Sequence, residues 1–455
     1  MIRVFLSVLL TCSVFLISHS QVSDSLAISG TLLWDKEGIS GFPNTLKVTD
    51  VADNTHVKNV TVDSLGHFKT QLTKGKYRLE PLRSYHWQGE DIVRIDMINT
   101  QHQFEVSSRQ PKSDIVLTLR TINKPQRIPD QGILHKFNTD AAKDINAFVQ
   151  AYMSYYEVPG ASLAIIKNGE VVFHNHYGVK NSATNEEVNA ETLFEAGSIT
   201  KTVLAFIAMR IYEKGLLDLD QPLYQYQSFE DISHDDRYKK ITARMVLSHR
   251  TGFPNWARGK FDLKFEPGTK FGYSGEAFEY LKRVLEAMTD KPMSELIKDE
   301  FLNPLELEDI YFKGSEFEIG LAANGHKFGG DVSEKRDIKS PMMAFSMVTN
   351  ALAFAQFALA LRNRKGLKAD TYNELFKIHS TRDDGTHWSL GFRIEETKFG
   401  RRYGHSGSTN PGFIGNYVYY DALDMGYVVI TNSQTGGWLS LPLLTQFLIT
   451  GKDNP

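Results

Sequence analysis

The chain has 455 residues, 41% of them hydrophobic, and its 51 Lys and Arg against 54 Asp and Glu give a formal net charge of −3. This length predicts two or three domains with well-developed cores, and the near balance of charge, without a basic run among aromatics, argues against nucleic-acid and membrane-surface partners. The only cysteine, Cys12, lies in the first segment, so the rest of the sequence offers no disulfide framework, cysteine nucleophile or thiolate metal site.

The first segment of the chain has the layout of a secretory signal. Arg3 supplies a positive start, residues 4–17 are mostly apolar, and residues 18–20 include the small side chains that a signal peptidase reads. The apolar run is too short for a comfortable membrane span, and no later run is long enough for one. We therefore predict a signal peptide over residues 1–20 and a periplasmic or secreted mature protein. A lipoprotein site ending at Cys12 ranks below this, because the apolar run continues beyond it.

Residues 25–121 have the pattern of a small all-β domain. Short runs rich in β-branched and aromatic residues are separated by turn signals, and this spacing is typical of a β-sandwich. The runs are Leu26–Trp34, Leu46–Val51, Val57–Val62, His67–Leu72 and Ile115–Leu119. Residues 62–68 followed by 75–79 resemble the carboxypeptidase-regulatory-like module found in secreted bacterial proteins. The sequence leaves open which molecule binds to this domain. A linker with two prolines, predicted over residues 122–135, closes this domain.

Residues 136–452 are predicted to form a second domain that contains both helices and strands. The Asn-Gly pair at 168–169 is a strong signal for a two-residue hairpin. Apolar spacing predicts a helix that starts at Thr139 or Asp140 and buries one face. The predicted elements include that helix with Ile145, Phe148, Val149 and Met153 on its buried side, strands Ala161–Ile166, Val171–His174 and Gly426–Thr431, and an amphipathic helix Leu439–Ile449.

Ser198 and Lys201 precede a long apolar run in this domain. Residues 203–211 are apolar on more than one face of a helix, which predicts a largely buried helix. If this helix begins near Ser198, the hydroxyl and the amine meet across one turn. A hydroxyl at the positive end of a helix beside an amine is a candidate nucleophile with its proton-transfer partner. Ser-x-x-Lys by itself is also common as a helix cap followed by a solvated lysine.

Two further motifs extend this pattern. Tyr273 follows a Pro-Gly turn and precedes a predicted helix, and residues 404–412 form a small-residue segment whose missing side chains would let a substrate backbone lie close. Alone, the tyrosine is more often a core residue and Gly407 more often a bulge. Together with Ser198 and Lys201, in this order, they resemble the serine hydrolases of the β-lactamase and penicillin-binding-protein group. The pattern is similar to that of class C β-lactamases and their relatives, the D,D-peptidases, D-aminopeptidases and esterases.

The resemblance covers roughly residues 139–450 and includes the segments 247–254 and 345–350. It implies an α+β fold of the β-lactamase/transpeptidase type, in which an antiparallel sheet packs against a helical cluster. His249, inside the first of these segments, is expected to be structural rather than a general base. Substrate selectivity is expected to lie in loops such as 255–264 and 325–339.

The resemblance also implies the roles of the site residues. Ser198 would attack an acyl carbon and form an acyl-enzyme, and Lys201 and Tyr273 would share its proton. A tyrosine with an ordinary pKa near 10 is a base at neutral pH only if a cation stabilises its phenolate, and Lys201 is the obvious cation; which residue is the base stays open. No metal or organic cofactor is needed. The implied oxyanion hole consists of the backbone N–H groups of Ser198 and Ser408, and the implied substrate contacts are Gly275, His405, Ser406 and Gly407.

Two positions depart from the β-lactamase pattern. Residues 273–275 read Tyr-Ser-Gly where that pattern has Tyr-x-Asn, so the amide that contacts a substrate's acylamino group is absent. Residues 405–407 read His-Ser-Gly in place of Lys-Thr-Gly, and a histidine with a pKa near 6.5 is mostly neutral at pH 7. We therefore predict hydrolysis of an amide or ester, on a peptide, cell-wall fragment or other small molecule, with poor β-lactam turnover.

Two alternatives stay open. The first is a true class C-type β-lactamase or D,D-carboxypeptidase that uses the altered motifs. The second is a non-catalytic binding protein on a hydrolase fold, in which the β domain is the functional part. The joint presence of Ser198, Lys201 and Tyr273 argues against the second alternative, because a degenerate site usually loses one of these residues.

Overall fold

The computed structural model describes residues 26–34, 42–43, 45–52, 55–81, 85–88, 91–97, 103–107, 115–122, 139–315, 319–327, 330–409, 412–440, 444 and 448. The chain divides into two compact units, residues 1–126 and residues 127–455. The predicted signal peptide lies outside the described residues, as does all but the first residue of the predicted linker.

The first unit is a sandwich of two β-sheets. Its strands are β1 (Leu26–Trp34), β2 (Thr45–Asp50), β3 (His56–Thr61), β4 (His67–Leu72), β5 (Gly75–Pro81), β6 (Tyr85–Gln88), β7 (Asp91–Met97), β8 (Gln103–Val106) and β9 (Ile115–Ile122). One sheet has the strand order β4-β1-β9-β7-β6 and the other has the order β3-β2-β5-β8. Strands β1 and β9 run parallel, and the remaining pairs that are described run antiparallel. Because the two sheets bury their apolar faces in one core, with Leu32 and Leu117 from one and Val48 and Leu79 from the other, the predicted all-β sandwich is confirmed.

The five strand predictions for this unit correspond to β1, β2, β3, β4 and β9, with bounds that differ by up to three residues. Strands β5, β6, β7 and β8 were not among these predictions. Residues 91–97 carry two aspartates and an arginine, residue types that are depleted in strands or weaken the apolar signal, and β7 forms through its backbone pairing with β6 and β9. The resemblance to the carboxypeptidase-regulatory-like module stays a prediction.

The second unit contains helices and two β-sheets. Its helices are α1 (Thr139–Tyr156), α2 (Thr200–Glu213), α3 (Ala243–Leu247), α4 (Gly275–Thr289), α5 (Met293–Ile297), α6 (Asn303–Leu305), α7 (Ala351–Arg362), α8 (Ala369–Phe376) and α9 (Gly437–Ser440). Its strands are β10 (Gly160–Lys167), β11 (Glu170–Asn181), β12 (Glu186–Glu187), β13 (Phe194–Glu195), β14 (Ile310–Phe312), β15 (Met347–Thr349), β16 (Ser380–Thr381), β17 (His387–Trp388), β18 (Arg393–Thr397), β19 (Gly400–Thr409), β20 (Phe413–Tyr420) and β21 (Met425–Thr431). Short 3₁₀ turns lie at Gly197–Ile199, Leu223–Gln225, Glu230–Ile232, Asp236–Lys240 and Ile319–Leu321, and a π turn lies at Lys298–Leu302.

A nine-stranded antiparallel sheet dominates this unit, with the order β12-β11-β10-β21-β20-β19-β18-β17-β16. A smaller sheet of order β13-β15-β14 lies beside it, and helices α2, α4 and α7 share one large apolar core with the long strands. Strands that bury both faces read as continuous apolar runs, and β10 and β21 are buried over nearly their whole length. The predicted α+β fold is therefore confirmed.

Local signals account for several element boundaries. Helix α1 ends at Tyr156, and Glu157 adopts φ 54°, the left-handed conformation that stops a helix. Asn168 and Gly169 adopt φ 52° and 80°, as the two central residues of a type I′ hairpin turn require. Most of the predicted helix 439–449 lies outside the described residues, although Leu444 and Leu448 are helical and buried. None of the helices described is long and apolar enough to cross a bilayer.

Candidate active site

A short turn before helix α2 holds Ser198. Gly197 opens this turn at φ 56°, a conformation that disfavours side chains, and the 3₁₀ turn 197–199 leads directly into α2. The backbone N–H of Ala196 donates to the carbonyl of Met347 at 2.9 Å. The hydroxyl of Thr200 donates to the Gly197 carbonyl at 2.6 Å and accepts the N–H of Met347 at 3.1 Å. Strand β15 therefore fixes the turn that carries the predicted nucleophile.

Lys201 lies against Ser198 inside the protein. Its Nζ atom is 3.2 Å from the Ser198 Oγ atom and donates to the carbonyl oxygen of Ala344 at 2.8 Å. The residue is only 1% exposed. Burial disfavours the charged amine and lowers the pKa of Lys201 to about 7, against an opposing effect of the Glu279 carboxylate. A large fraction of the lysine is therefore neutral at neutral pH, and the amine is able to accept a proton.

Tyr273 is the third member of this group. Lys201 Nζ lies 5.0 Å from the centre of its ring, and its hydroxyl is hydrogen-bonded to Ser198. Burial raises the pKa of the Tyr273 phenol to about 12, and the bond to Ser198 offsets only part of this rise. The phenol is thus neutral at pH 7. Of the two candidate bases left open by the sequence, the geometry and charge favour Lys201.

Two glycines let the nucleophile turn meet strand β19. A Cβ atom at position 407 would lie 1.8 Å from the Ala196 carbonyl oxygen and 3.0 Å from the Ser198 nitrogen. A Cβ atom at position 197 would lie 2.7 Å from the Ser408 nitrogen. This close approach brings the backbone nitrogens of Ser198 and Ser408 together, as an oxyanion hole requires. Gly407 thus makes room for the Ala196 backbone, and its contact with substrate stays a prediction.

One edge of strand β19 is open next to Ser198. The pairing of β18 with β19 reaches only Gly404, whereas β20 pairs with β19 as far as Thr409. In the part of the chain that the structure describes, no strand pairs with the other edge of residues 405–409. An extended backbone can pair with such an edge.

His405 is buried beside the cavity and is 2% exposed. Burial, together with the nearby cations Lys201 and Arg393, lowers its pKa to about 3, so the ring is neutral at pH 7. Its Nδ1 atom lies 2.6 Å from the Ser406 carbonyl oxygen, which assigns the ring proton to Nδ1. None of the residues that the structure describes forms a hydrogen bond with its buried Nε2 atom. His405 therefore offers a hydrogen-bond acceptor in place of the fixed cation of the β-lactamase pattern.

His249 supports Tyr273 from behind. It is fully buried, its ring stacks on the Tyr273 ring at 4.3 Å between centres, and its Nδ1 atom accepts the N–H of Ser274 at 3.3 Å. Burial holds the pKa of His249 well below its ordinary value, and Lys201 lowers it further. A neutral, packed histidine fits the structural role expected from the sequence.

Trp256 fills the space next to Gly275, the first residue of α4. A Cβ atom at position 275 would lie 2.8 Å from the indole ring, which also packs edge-on against Phe345 at 5.5 Å. The indole is 46% exposed. An aromatic surface thus stands where the β-lactamase pattern places an amide side chain.

These residues surround a cavity of about 730 Å³. The predicted site residues that line it are Ser198, Lys201, Tyr273, His405, Ser406 and Ser408, whereas Gly275 and Gly407 lie behind its wall. The remaining lining residues are Asn255, Trp256, Phe271, Arg336, Met342, Phe345, Arg382, Trp388, Arg393 and Thr409. The described lining thus includes three arginines in addition to Lys201 and no carboxylate, which makes the cavity favourable for an anionic ligand.

Sequence reasoning missed these three arginines. Arg336 lies in the loop 325–339 that was expected to affect selectivity; it is 3.6 Å from the Glu195 carboxylate and lies over the Phe345 ring at 5.3 Å. Arg393 begins strand β18 and pairs with Glu395 at 3.1 Å. No local motif marks Arg382 or Arg393, because only the folded sheet brings residues 380–397 beside Ser198. Among the described residues, no three acidic, histidine or cysteine side chains are grouped so that they could hold a metal ion.

Comparisons with known proteins agree with this architecture. The sequence model of the family described as Beta-lactamase matches residues 145–442. Protein flp of Staphylococcus aureus strain MW2 is 21% identical over 214 residues, which cover 43% of this chain and 43% of flp. The alignment therefore spans less than half of that relative's length.

Two solved structures show the same fold. The octameric penicillin-binding protein homologue from Pyrococcus abyssi has a TM-score of 0.59 at 22% identity, covering 69% of this chain and 78% of that chain. The β-lactamase/D-alanine carboxypeptidase from Pseudomonas syringae has a TM-score of 0.57 at 20% identity, covering 64% of this chain and 93% of that chain. With the family match spanning most of its second unit, this chain belongs to the β-lactamase family, whose members are serine hydrolases of the β-lactamase and penicillin-binding-protein type.

Proposed function

We propose that this protein is a serine hydrolase that forms an acyl-enzyme on Ser198 and hydrolyses an amide or an ester. The observation that supports this most strongly is the 3.2 Å separation between Ser198 Oγ and the buried Nζ atom of Lys201, whose pKa is about 7. A buried amine of this kind is a general base poised near the working pH.

The proposed reaction follows from the positions of the groups. Neutral Lys201 takes the hydroxyl proton of Ser198 as Oγ forms a bond to the acyl carbon, and the backbone N–H groups of Ser198 and Ser408 donate to the resulting oxyanion. Each such donor contributes roughly 3 kcal/mol to the barrier reduction. The Tyr273 phenol gives its proton to the leaving nitrogen or oxygen and regains one from the Lys201 ammonium group. Water then attacks the acyl carbon of the ester on Ser198. The same groups take a proton from the water and return one to Ser198 Oγ, which releases the acid.

The charge of the cavity favours an anionic substrate. His405 is neutral, so a carboxylate would be held by arginines, and Arg393 is near enough to His405 to lower its pKa. The open edge of residues 405–409 suits an extended peptide-like backbone. A short peptide or cell-wall fragment with a free carboxylate therefore fits the site better than a neutral ester. The predicted signal peptide places this activity in the periplasm or outside the cell.

A second candidate function is β-lactam hydrolysis or D,D-carboxypeptidase action. It is supported by the three cavity arginines, which supply positive charge despite the loss of the lysine of the β-lactamase pattern at position 405. The Trp256 ring beside Gly275 argues against it, because the amide that would contact an acylamino group is replaced by an aromatic surface.

Steady-state hydrolysis by the full chain distinguishes these functions. The substrates are nitrocefin, p-nitrophenyl esters and D-amino-acid amides, together with a pair of peptides that differ only in a free or amidated C-terminal carboxylate. We expect kcat/KM to be at least tenfold higher for the peptide with the free carboxylate, and Ser198→Ala to remove all activity. Equal rates on the two peptides would contradict the proposed substrate class, and a nitrocefin rate above every other would favour the second candidate.

A further inference from the structure

Glu279 lies on the second turn of helix α4, and a single residue, Ala344, lies between it and the proposed base, Lys201. Its Oε1 atom accepts the backbone N–H of Ala344 at 2.7 Å. The carbonyl oxygen of Ala344 accepts a hydrogen bond from the Nζ atom of Lys201 at 2.8 Å. Ala344 therefore connects a carboxylate to the catalytic amine. Taking the proposed function as its basis, we propose that Glu279 is a positioning residue that holds Ala344 against Lys201 and sets the charge of the lysine.

The hydrogen bond to Ala344 does not by itself require a carboxylate, because a neutral glutamine oxygen also accepts a backbone N–H, although more weakly. A carboxylate at a partly buried position costs free energy unless it is paired. In the described parts of the chain, no lysine or arginine forms an ion pair with Glu279. The negative charge thus acts over a longer distance, and Lys201 is the buried cation that lies across Ala344 from it.

The two groups influence each other in opposite directions. Burial lowers the pKa of Lys201 to about 7, and the Glu279 charge resists this fall. Burial raises the pKa of Glu279 to about 7, and the hydrogen bond from Ala344 and the charges of Lys282 and Lys201 resist this rise. The amine and the carboxyl thus titrate in the same range, which is the range in which a general base works at neutral pH.

The other groups around Lys201 do not supply this negative charge. His249 and His405 are neutral and buried, and the Tyr273 phenol keeps its proton. Lys282 and Glu276 lie on the same helix as Glu279 and act on its carboxyl with opposite signs. Within the described residues, Glu279 is therefore the anion that acts on the lysine.

The test is a pH titration of Lys201 in the wild type, Glu279→Gln and Glu279→Asp, read from the ¹³Cε resonance of labelled lysine and assigned with Lys201→Arg. Glutamine keeps the acceptor for Ala344 and removes the charge, so the midpoint should fall by about 1 pH unit. Aspartate keeps the charge and should stay within a few tenths of the wild-type midpoint. The matched control is Glu286→Gln, which removes another α4 carboxylate that accepts a backbone N–H at 2.8 Å, from Met293.

A midpoint in Glu279→Gln equal to that of the wild type, or higher, would overturn the proposal, and so would an equal shift in Glu286→Gln. The titration does not depend on turnover. Labelling of Ser198 by a fluorophosphonate probe, measured on the same samples, tests the proposed function separately. If the wild type is labelled, the acidic limb of the labelling rate should move to lower pH in Glu279→Gln by the same amount as the resonance.

Discussion

The Nζ atom of Lys201 lies 3.2 Å from the Oγ atom of Ser198, although the lysine is almost completely removed from solvent. Its carbonyl partner, Ala344, is a neutral acceptor, and no carboxylate of the described segments forms an ion pair with the amine. Burial therefore dominates and brings its pKa to about 7. The burial that makes the charged form of the lysine costly is therefore also what lets the lysine act as a base.

The dependence of activity on pH follows from this pKa. With a neutral ester as substrate, kcat/KM should rise with pH through a midpoint near 7, because the amine must lose its proton before it can accept that of Ser198. No fall is expected up to pH 10, since the phenol of Tyr273 has a pKa of about 12. Initial rates from pH 5 to pH 10 check this. A fall above pH 8 would indicate instead that a cationic Lys201 is required.

The free energy of unfolding should also depend on pH because of the pKa of Lys201. Unfolded Lys201 keeps its proton up to a pKa of 10.5, whereas the folded group loses it near pH 7. Between these values the unfolded state binds more protons, so the free energy of unfolding of the wild type rises with pH. In Lys201→Met this contribution is absent. The free energy of unfolding of the variant minus that of the wild type should therefore decrease by about 1.4 kcal/mol per pH unit from pH 7 to pH 10.

Urea unfolding at several pH values measures this difference. The control is Lys298→Met, which removes the same charge from an exposed position. Its difference from the wild type should not change over this range. A Lys201→Met difference that is equally flat would show that the buried lysine titrates as it does in water.

The contact between Gly407 and Ala196 predicts a loss of catalysis without a change of any polar group. In Gly407→Ala, the new methyl group would lie 1.8 Å from a backbone oxygen, so β19 and the nucleophile turn must separate. Misplacing the oxyanion donors in this way should lower kcat/KM by about 10² or more. Gly215→Ala is the control for backbone strain alone: its φ of 71° disfavours alanine and should lower the stability, but its methyl group meets nothing within 4 Å, so kcat/KM should not change. Equal activity of the two variants would contradict the proposed oxyanion hole.

The buried ion pair between Lys313 and Glu195 predicts an effect on stability. Both side chains are less than a tenth exposed, and Glu195 lies two residues before the nucleophile turn. Among the described residues, Lys313→Met would leave the carboxylate with Arg336 alone, at 3.6 Å, and should lower the free energy of unfolding by about 3 kcal/mol. Lys339→Met, which removes a partner from an exposed pair with Asp337, should change it little. Similar effects of the two substitutions would argue that the buried pair is not stabilising.

Sequence patterns anticipated the features that depend on neighbours along the chain. The buried helix after Ser198, the pairing of Ser198 with Lys201 across one turn and the hairpin at Asn168 all follow from local spacing. The arginines of the cavity and the Glu279–Ala344–Lys201 arrangement could not be anticipated, because they join segments more than sixty residues apart that only tertiary packing brings together. The packing of Gly407 against the nucleophile turn could not be anticipated either, because the Ala196 backbone that lies 1.8 Å from a Cβ atom at this position is remote in sequence.

The central claim is that Ser198 is a nucleophile activated by Lys201. The most direct test is covalent labelling of the full chain with a fluorophosphonate probe at pH 8, followed by mass-spectrometric mapping of the modified peptide in the wild type, Ser198→Ala and Lys201→Met. We expect one adduct, on Ser198, that is absent in Ser198→Ala and forms at least 10²-fold more slowly in Lys201→Met. An adduct on another residue, or labelling of Lys201→Met at the wild-type rate, would contradict the central claim.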